Sequence, residues 1–332
     1  MANRTAQNGP DRYHKGVAPE TTTLKVADGD GGQRLDKYLR KRFPGVPLSH
    51  VFQLLRKGDV RVNGARSKDG DLRLQDGDEV VVRVPGKESW DPHGGVDPQT
   101  LSFRGRIPVV FEDDDLLVLD KPAGMAVHPG TGVKPGRTVI EMVQAEFPDA
   151  GFPPALVHRL DKGTSGVLLL AYNRPALVRL QEEIRTHRAR KTYLALAQGS
   201  PRQEAGTVDS RLARIDSAHG GAKAIVARED SGREACTHWK VVRRLGGYAL
   251  LEVTIDTGRM HQIRAHLASI GLPIVGDDRY HPDPDHRTFG LKRPFLHAFR
   301  MEIRVQAGKT RRFEAALPKD LDQALNLAES AC

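Results

Sequence analysis

A compact segment in the first quarter of the chain contains apolar residues that recur first at helical and then at strand spacing. Leu35, Tyr38 and Leu39 share one face of a helix predicted in QRLDKYLRKRF. A second helix is predicted in PLSHVFQLLRKGDV, with Ser49 as its N-cap and Gly58 at its end. Alternating residues in VRVNG and LRLQDGDEVVVRV then predict strands with Asn-Gly and Asp-Gly turns. The pattern therefore predicts two helices that lead into a small sheet.

The longer part of the chain alternates short apolar runs with turns and a few helical stretches. Strands are predicted on both sides of the acidic turn in IPVVFEDDDLLVLDK, and the apolar run 167–171 predicts another. Helical spacing appears in TVIEMVQAEF and again at Leu177, Leu180 and Ile184. Because strands dominate and helices are interspersed irregularly, the pattern favours an α+β fold with a mixed sheet over a doubly wound fold.

The same pattern divides the chain into parts. Residues 1–23 are polar and carry scattered Gly, Pro and Thr, which predicts a disordered tail. The rest of the chain divides into a basic domain over 24–84, a linker with Pro and Gly over 85–106, and a large domain over 107–320. The end of the chain, DLDQALNLAES, predicts a short amphipathic helix.

Composition narrows the class of protein. A length of 332 residues fits two domains, and a net charge of +9 favours a polyanionic partner, either a nucleic acid or an anionic membrane surface. Two cysteines, Cys236 and Cys332, predict neither a disulfide framework nor a Cys-rich zinc site. The sequence has no apolar run of the ~20 residues that a membrane span needs, and its N-terminal stretch lacks a signal-peptide core. We therefore expect a cytoplasmic protein.

Basic side chains cluster near the ends of the predicted elements in the small domain. Such cations could contact RNA phosphates, although Lys and Arg that merely keep a small domain soluble are the commoner case. The candidates for RNA contact are Arg34, Lys37, Arg40, Arg56, Lys57 and Arg61.

Three segments of the large domain combine charge with tight turns. Asp161 lies in HRLDKGTSG, Tyr193 opens a predicted strand in KTYLALAQG, and TGRMHQIRAHL places His261 and Arg264 on one helix face. Each residue taken alone has an ordinary structural explanation. Asp161 could be a surface acid and Tyr193 a half-buried core residue. His261 could pack in the core, and Arg264 could cap a neighbouring loop.

Several common chemistries are disfavoured by the motifs. QAGKT lacks the upstream glycine of a phosphate-binding loop, and TSG is not the nucleophile elbow of a serine hydrolase. HQIRAH has no intervening Glu at the spacing of a zinc protease helix. No tight His, Asp or Glu spacing indicates a metal site, and we expect none.

Two resemblances then supply a function. RLDKYLRKRF, the helix up to Arg56-Lys57-Gly58 and VRVNG resemble the S4 RNA-binding domain, over about residues 33–84. DKPAGMAVHPG, HRLDKGTSGVLLLA, KTYLAL and TGRMHQIRAHL, in this order, resemble the ribosomal large-subunit family of RNA pseudouridine synthases. This family resemblance implies a mixed, mostly antiparallel sheet in the catalytic domain.

The resemblance also implies roles for particular residues. Asp161 would be the catalytic carboxylate, and Arg264 the cation paired with it. Tyr193 would be the aromatic that stacks on the target base, and it could also help to remove the proton of that base. The substrate would be 23S ribosomal RNA or a large-subunit precursor, the enzyme a monomer, and no cofactor would be required. Further RNA contacts would come from residues in or beside the motifs: His158, Arg159, Lys191, Arg259, His261 and Gln262.

Some alternatives remain open at the level of the sequence. Asp161 could attack C1′ of the uridine or act as a base at C2′. A non-catalytic RNA-binding protein would use the S4 domain alone, but it would not need an acid facing phosphate. A sugar hydrolase would usually need a second carboxylate opposite Asp161, and the sequence does not nominate one.

Overall fold

The computed structural model describes two compact units, Met1–Val96 and Asp97–Cys332. The described residues are 20–27, 30–43, 48–84, 103–129, 133, 136–147, 151–216, 222–228, 231–306 and 308–331. Residues 1–19 of the predicted tail and 85–102 of the predicted linker lie outside them. The domain boundaries proposed from the sequence are therefore compared only where described residues reach them.

The smaller unit packs two helices on an antiparallel sheet of order β1-β4-β2-β3. Its core is apolar and includes Leu35, Tyr38 and Leu39, as the helical spacing predicts. The elements are β1 (Glu20–Lys25), α1 (Leu35–Arg42), α2 (Leu48–Lys57), β2 (Val60–Val62), β3 (Ala65–Arg66) and β4 (Glu79–Val84).

The turn chemistry of this unit follows the sequence, and two boundaries differ. Asn63 and Gly64 both have positive φ, 50° and 79°, as the tight turn between β2 and β3 requires. Helix α2 begins at Leu48, so Ser49 lies inside its first turn and is not the N-cap. Residues 20–23, predicted as tail, instead form the start of β1, because β-branched threonines pair with the valines of β4.

The larger unit is built on one extensive mixed sheet. Its helices are α3 (Val139–Gln144), α4 (Arg174–Arg185), α5 (Gln262–Ser269) and α6 (Lys319–Ser330). Its strands are β5 (Val109–Glu112), β6 (Leu116–Lys121), β7 (Ala155–Leu156), β8 (Ser165–Ala171), β9 (Arg190–Gln198), β10 (Ala205–Asp209), β11 (Leu212–Asp216), β12 (Ala222–Val226), β13 (Cys236–Leu245), β14 (Tyr248–Ile255), β15 (Leu296–Gln306) and β16 (Lys309–Glu314).

Ten of these strands form the sheet, in the order β10-β13-β14-β9-β15-β8-β6-β5, with β16 beside β15 and β7 beside β8. The pairs are antiparallel apart from β8 with β15, which run parallel. Strands β11 and β12 form a separate two-stranded ribbon. The architecture confirms the predicted α+β class and its mixed, mostly antiparallel sheet.

Strand β8 is buried along its whole length because both faces of the sheet are covered. Leu168 and Leu170 enter one core cluster, and Val167 and Leu169 enter the other. Both clusters are apolar, which explains why the sequence shows a continuous apolar run here and not an alternation. Gly166 has a φ of 112°, and a Cβ at this position would overlap the carbonyl of Ala298.

Both ends of the larger unit extend beyond the limits expected from the sequence. Phe103, placed in the linker, is fully buried in the main core cluster. Helix α6 packs Leu321, Leu325 and Ala328 into the same cluster. Amphipathic helices are stabilised mainly by such packing. The large domain expected from the sequence, 107–320, contained only the first residues of this helix. Across the described residues, no helix is long and apolar enough to span a membrane.

Candidate active site

Asp161 lies in the loop that precedes β8, where the parallel strands β8 and β15 begin. Its backbone carbonyl accepts the N–H of Thr164 at 3.1 Å. The next carbonyl, of Lys162, accepts the N–H of Gly124 at 2.7 Å and so ties this loop to the bend after β6. The carboxylate is about one-fifth exposed, with 21% of its side-chain surface accessible. The sequence-predicted acid is thus held on a structured loop beside the core.

Lys121 stabilises the same loop through hydrogen bonds to backbone carbonyl groups. Its fully buried Nζ donates to the carbonyls of Pro122 and Met125 at 2.8 and 2.9 Å and to that of Lys162 at 3.4 Å. Burial lowers the pKa of the ammonium group to about 7, while the charge of Asp161 opposes this effect. Lys121 therefore joins the DKPAG and HRLDKG segments behind the carboxylate.

Tyr193 lies in β9 beside β14 and is 7% exposed. Burial raises the pKa of its hydroxyl well above the ordinary range, and the nearby charge of Asp161 adds to this effect. Its side chain lines the same cleft as Asp161. The aromatic is therefore a wall of the site, as well as a member of the core cluster.

The segment between β14 and α5 forms the opposite wall, and Gln262 holds it in shape. The Gln262 side-chain oxygen accepts the Thr257 hydroxyl at 2.7 Å and the Arg259 N–H at 3.0 Å. Its amide nitrogen donates to the Cys236 carbonyl at 2.9 Å and to the Thr237 hydroxyl at 3.1 Å. Gln262 is 3% exposed, so its hydrogen-bonding groups are used inside the protein.

Arg264 projects from α5 and is paired chiefly with an acid that the sequence did not single out. Its Nε and Nη2 donate to the two carboxylate oxygens of Asp277, each at 2.7 Å. The distance from Arg264 Nη1 to Asp161 Oδ2 is 4.0 Å. Burial lowers the pKa of Arg264, but the hydrogen bonds and the charge of Asp277, together with the charge of Asp161, outweigh that effect and raise it overall. The expected pairing with Asp161 is thus the longer of two contacts.

Tyr280 supports the same group of charges. The Arg264 guanidinium carbon lies 4.8 Å from the centre of the Tyr280 ring, within the range of a cation–π contact. The Tyr280 hydroxyl accepts the N–H of Ala224 at 2.7 Å and lies 3.0 Å from His261 Nδ1. The ribbon strand β12 thereby supports the site through a tyrosine.

A single cleft collects these side chains. Asp161, Tyr193 and the pair His261 and Arg264 come from three separate segments of the chain and meet where the ends of β8, β9, β14 and β15 converge. Apolar side chains complete the walls, namely Leu160, Ile255, Met260, Ile263 and Leu296. A cleft with apolar walls and few convergent polar groups is typical of a ligand site.

The predicted RNA-contacting residues of the large unit separate into two groups. Arg159 and Arg259 are exposed on the cleft rim. His158 accepts the N–H of Leu169 at 3.2 Å, and burial lowers its pKa to about 3. Lys191 is buried, and burial lowers its pKa to about 8. Lys191 and Gln262 are buried and His158 is partly buried, and their RNA contacts stay predictions.

One of the predicted cations of the small unit is paired with two acids. Arg34 donates to Asp36 at 2.8 and 3.0 Å and also pairs with Asp71, so its charge is largely neutralised locally. The remaining candidates are exposed, namely Lys37, Arg40, Arg56, Lys57 and Arg61.

Sequence reasoning missed Asp277, Tyr280 and Lys121 as parts of the site. GLPIVGDDRY offers only a pair of acids after a glycine, a pattern equally typical of a surface turn. Lys121 ends the apolar run LLVLDK, which was a signal for a buried lysine. The partners of all three are distant in sequence or lie on the backbone, so local patterns do not reveal them.

One group of side chains has atoms close enough to suggest a metal site, but its contacts are those of a hydrogen-bonded cluster. Among the described residues, the ligating atoms of Cys236, His238 and Asp256 lie within 4.8 Å of one another. His238 Nε2 is 3.0 Å from Asp256 Oδ2. Burial and then the Asp256 charge raise the pKa of the Cys236 thiol to about 11, which opposes the thiolate that a metal requires.

Comparisons with known proteins agree with this site. The model of the RNA pseudouridylate synthase family matches residues 115–269, and that of the S4 domain matches residues 33–80. The chain is 38% identical to ribosomal large subunit pseudouridine synthase C of Salmonella typhi, over 95% of this chain and 99% of that protein. It is 37% identical to the protein of the same name from Haemophilus influenzae, over 91% of this chain and 93% of that protein.

A solved structure and a finer sequence likeness point the same way. Human RNA Pseudouridylate Synthase Domain Containing 4 has a TM-score of 0.55 and 26% identity, over 70% of this chain and 95% of that one. GVPLSHVFQLLRKGDVRVNG and FEDDDLLVLDKPAGMAVHPGTG carry a resemblance to synthase C in particular, in agreement with the relatives named above. The chain is a member of the RNA pseudouridine synthase family, an isomerase with an S4 domain.

Proposed function

We propose that the protein isomerises specific uridines of 23S ribosomal RNA to pseudouridine, acting as a monomer in the cytoplasm. The substrate proposal draws on the relatives, whose names specify the large ribosomal subunit. The observation that carries the chemistry is the single cleft that joins Asp161, Tyr193 and Arg264. The reaction breaks the C1′–N1 bond, turns the base over and joins C1′ to C5. The C5 proton is lost and N1 regains one, so the reaction balances without a redox partner.

Asp161 is the catalytic carboxylate in this proposal. Its side chain is partly exposed to the cleft, so a flipped nucleotide can reach it. The carboxylate either attacks C1′ or removes a proton at C2′, and the two routes use the same position. A fixed acid at the sugar lowers the entropic cost of either step.

Arg264 supplies the positive charge that faces Asp161. Asp277 holds the guanidinium by two hydrogen bonds, so the cation does not have to reorganise when RNA binds. At 4.0 Å, Arg264 Nη1 can stabilise charge on Asp161 without enclosing the carboxylate. The role we propose is to position the acid and stabilise its charge.

Tyr193 provides the surface on which the flipped base stacks. Unstacking a base costs a few kcal/mol, and stacking on an aromatic side chain recovers about 1–3 kcal/mol. The raised pKa keeps the hydroxyl protonated, which makes it a poor base in the free enzyme. We therefore propose stacking, and not proton removal by a phenolate, as its main contribution.

Exposed cations bind the RNA around the cleft. Arg159 and Arg259 lie at its rim, where phosphates of the substrate pass. The S4 unit adds a second RNA site on the same chain, which raises the effective concentration of substrate near the catalytic unit. Lys37, Arg40, Arg56, Lys57 and Arg61 are the contacts we propose there, with Arg34 less available.

The cleft disfavours a sugar hydrolase. Among the described residues that line it, Asp161 is the carboxylate, and Asp277 behind it is occupied by Arg264. Hydrolysis of a glycosidic bond generally needs two acids flanking the bond. One acid is compatible with isomerisation, because the base never leaves the site.

The decisive experiment compares Asp161→Asn with Asp114→Asn, a change of the same kind on an exposed turn. Each protein is incubated with 23S ribosomal RNA, and pseudouridines are mapped by carbodiimide modification. We expect Asp161→Asn to form none while its RNA affinity stays within a few-fold, and Asp114→Asn to behave as the wild type. Full activity of Asp161→Asn would overturn the catalytic assignment, and equal pseudouridine patterns with and without wild-type protein would overturn the substrate.

A further inference from the structure

The cleft contains a histidine that the roles proposed above leave unused. His261 has a φ of 52°, in the left-handed region that few residues other than glycine adopt. Only 13% of its side chain is exposed. The Gln262 network on one side and the hydrogen bond from Ala265 N–H to the His261 carbonyl, 2.9 Å, hold this conformation. Such backbone strain is often retained where it directs a functional side chain.

The contacts of the ring are compatible with a tautomer in which Nε2 carries the proton. Tyr280 meets the imidazole edge to face, with its hydroxyl 3.0 Å from Nδ1. That hydroxyl accepts the N–H of Ala224 and can donate its own proton to His261 Nδ1. In that arrangement Nε2 carries the ring proton, and Nε2 is the nitrogen that faces Asp161.

Both donors near Asp161 approach the same oxygen. His261 Nε2 and Arg264 Nη1 are each 4.0 Å from Asp161 Oδ2. Within the part of the chain that the structure describes, Oδ1 of Asp161 has no hydrogen bond or ion pair. The two oxygens are therefore inequivalent: one faces the donors, and the other is available to the sugar.

We propose that His261 is a positioning residue that orients Asp161 through a hydrogen bond from Nε2–H to Oδ2, with Tyr280 setting the tautomer. This inference rests on the proposed function, since it concerns the acid of that reaction. The distance of 4.0 Å shortens when RNA closes the cleft, as catalytic hydrogen bonds commonly do on substrate binding. Oδ1 is then the atom that attacks C1′ or removes the C2′ proton.

A neutral donor suits this task. Burial lowers the pKa of His261 to about 4, against the attraction of Asp161, so the ring is uncharged at neutral pH. A second full cation beside Arg264 would withdraw more charge from the carboxylate and weaken it as a nucleophile or base. The neutral imidazole orients the Asp161 carboxylate and leaves most of the negative charge on that carboxylate.

Two substitutions at position 261 separate this role from mere packing. His261→Asn keeps a side chain that tolerates positive φ but is too short to reach Asp161. His261→Gln can place an amide N–H near the position of Nε2. We expect the single-turnover rate of pseudouridine formation to fall roughly 10–100-fold in His261→Asn, the scale of losses when an orienting partner is removed. His261→Gln should recover most of this rate, and RNA affinity should stay within about two-fold in both.

Tyr280→Phe tests the tautomer. It should lower the rate in the wild-type background and have little further effect in His261→Asn, because both changes break one chain of hydrogen bonds. A wild-type rate for His261→Asn, additive losses with Tyr280→Phe, or a loss of RNA affinity that accounts for the whole effect would each overturn the inference. If Asp161→Asn is inactive while His261→Asn is fully active, only the histidine inference fails; if Asp161→Asn is active, the proposed function itself fails.

Discussion

Asp277 offers the sharpest test of how the site is held together. The substitution Asp277→Asn keeps the size of the side chain and removes its charge. Asp277 is 1% exposed and accepts two hydrogen bonds of 2.7 Å from Arg264, which is itself 9% exposed. The Asn amide group would present N–H to one of the guanidinium donors, so at least one bond is replaced by a repulsive contact.

The magnitude follows from the burial of both partners. Removing one member of a buried ion pair costs about 3–5 kcal/mol, because the other charge remains without compensation. The nearest remaining acid is Asp161 at 4.0 Å. For a unit of this size, about 1 kcal/mol lowers the melting temperature by roughly 2–4 °C, so we expect a decrease of roughly 6–20 °C in the transition of the catalytic unit.

The activity should change together with the stability. Without Asp277, Arg264 is free to close onto Asp161, which would tie up the acid and lower the rate of pseudouridine formation. Thermal unfolding and single-turnover kinetics below the new melting temperature measure the two effects separately. Asp278→Asn is the matched control, since this neighbouring acid is exposed. If Asp277→Asn melts and reacts as Asp278→Asn does, the ion pair does not organise the site and the reasoning is refuted.

Two further predictions concern charge. Burial lowers the pKa of Lys121 from 10.5 to about 7, so between these values the unfolded chain binds a proton that the folded protein lacks. The contribution of this group to the free energy of unfolding therefore rises with pH across that window. Lys121→Met should reduce the slope of the free energy of unfolding against pH, measured with urea, by up to about 1.4 kcal/mol per pH unit between roughly pH 8 and 10. Replacing Arg40, Arg56 and Arg61 by Gln should weaken RNA binding and reduce the slope of log binding constant against log salt concentration by about 0.7–0.9 for each phosphate no longer neutralised. Arg185→Gln on α4 is the control and should leave the slope unchanged. An unchanged slope in the triple variant would exclude these residues from the RNA interface.

Local structure could be predicted where a short window contains the whole cause. The positive φ of Asn63 and Gly64 follows from the steric freedom of those two residues. The apolar spacing of α1 and the fully apolar strand β8 likewise report burial directly. The family resemblance placed Asp161, Tyr193 and Arg264 in one site, and the structure collects them in one cleft. Their catalytic roles stay predictions.

Three of the proposed RNA contacts, which stay predictions, are more buried than their polarity suggests. Gln262, Lys191 and His158 are polar residues inside recognisable motifs, and the sequence analysis placed them against RNA. In the structure, Gln262 and His158 bond internal backbone groups, and Lys191 is buried. A buried polar group is stable once its hydrogen bonds are satisfied. Whether such partners exist depends on strands and loops far away in the chain.

Part of the order of elements, the Asn63-Gly64 turn and the family could be recognised in the amino-acid sequence. Packing between distant segments settled which acid holds Arg264, which oxygen of Asp161 faces the donors, and how His261 is aimed. These two kinds of feature differ in how far apart along the chain the interacting residues lie. Backbone preferences and apolar periodicity act over a few residues, but the contact between Arg264 and Asp277 depends on how α5 and the loop after it pack. Asp161 lies in the loop before β8, which runs parallel to β15 in the middle of the sheet, and its carboxylate is 4.0 Å from Arg264 there.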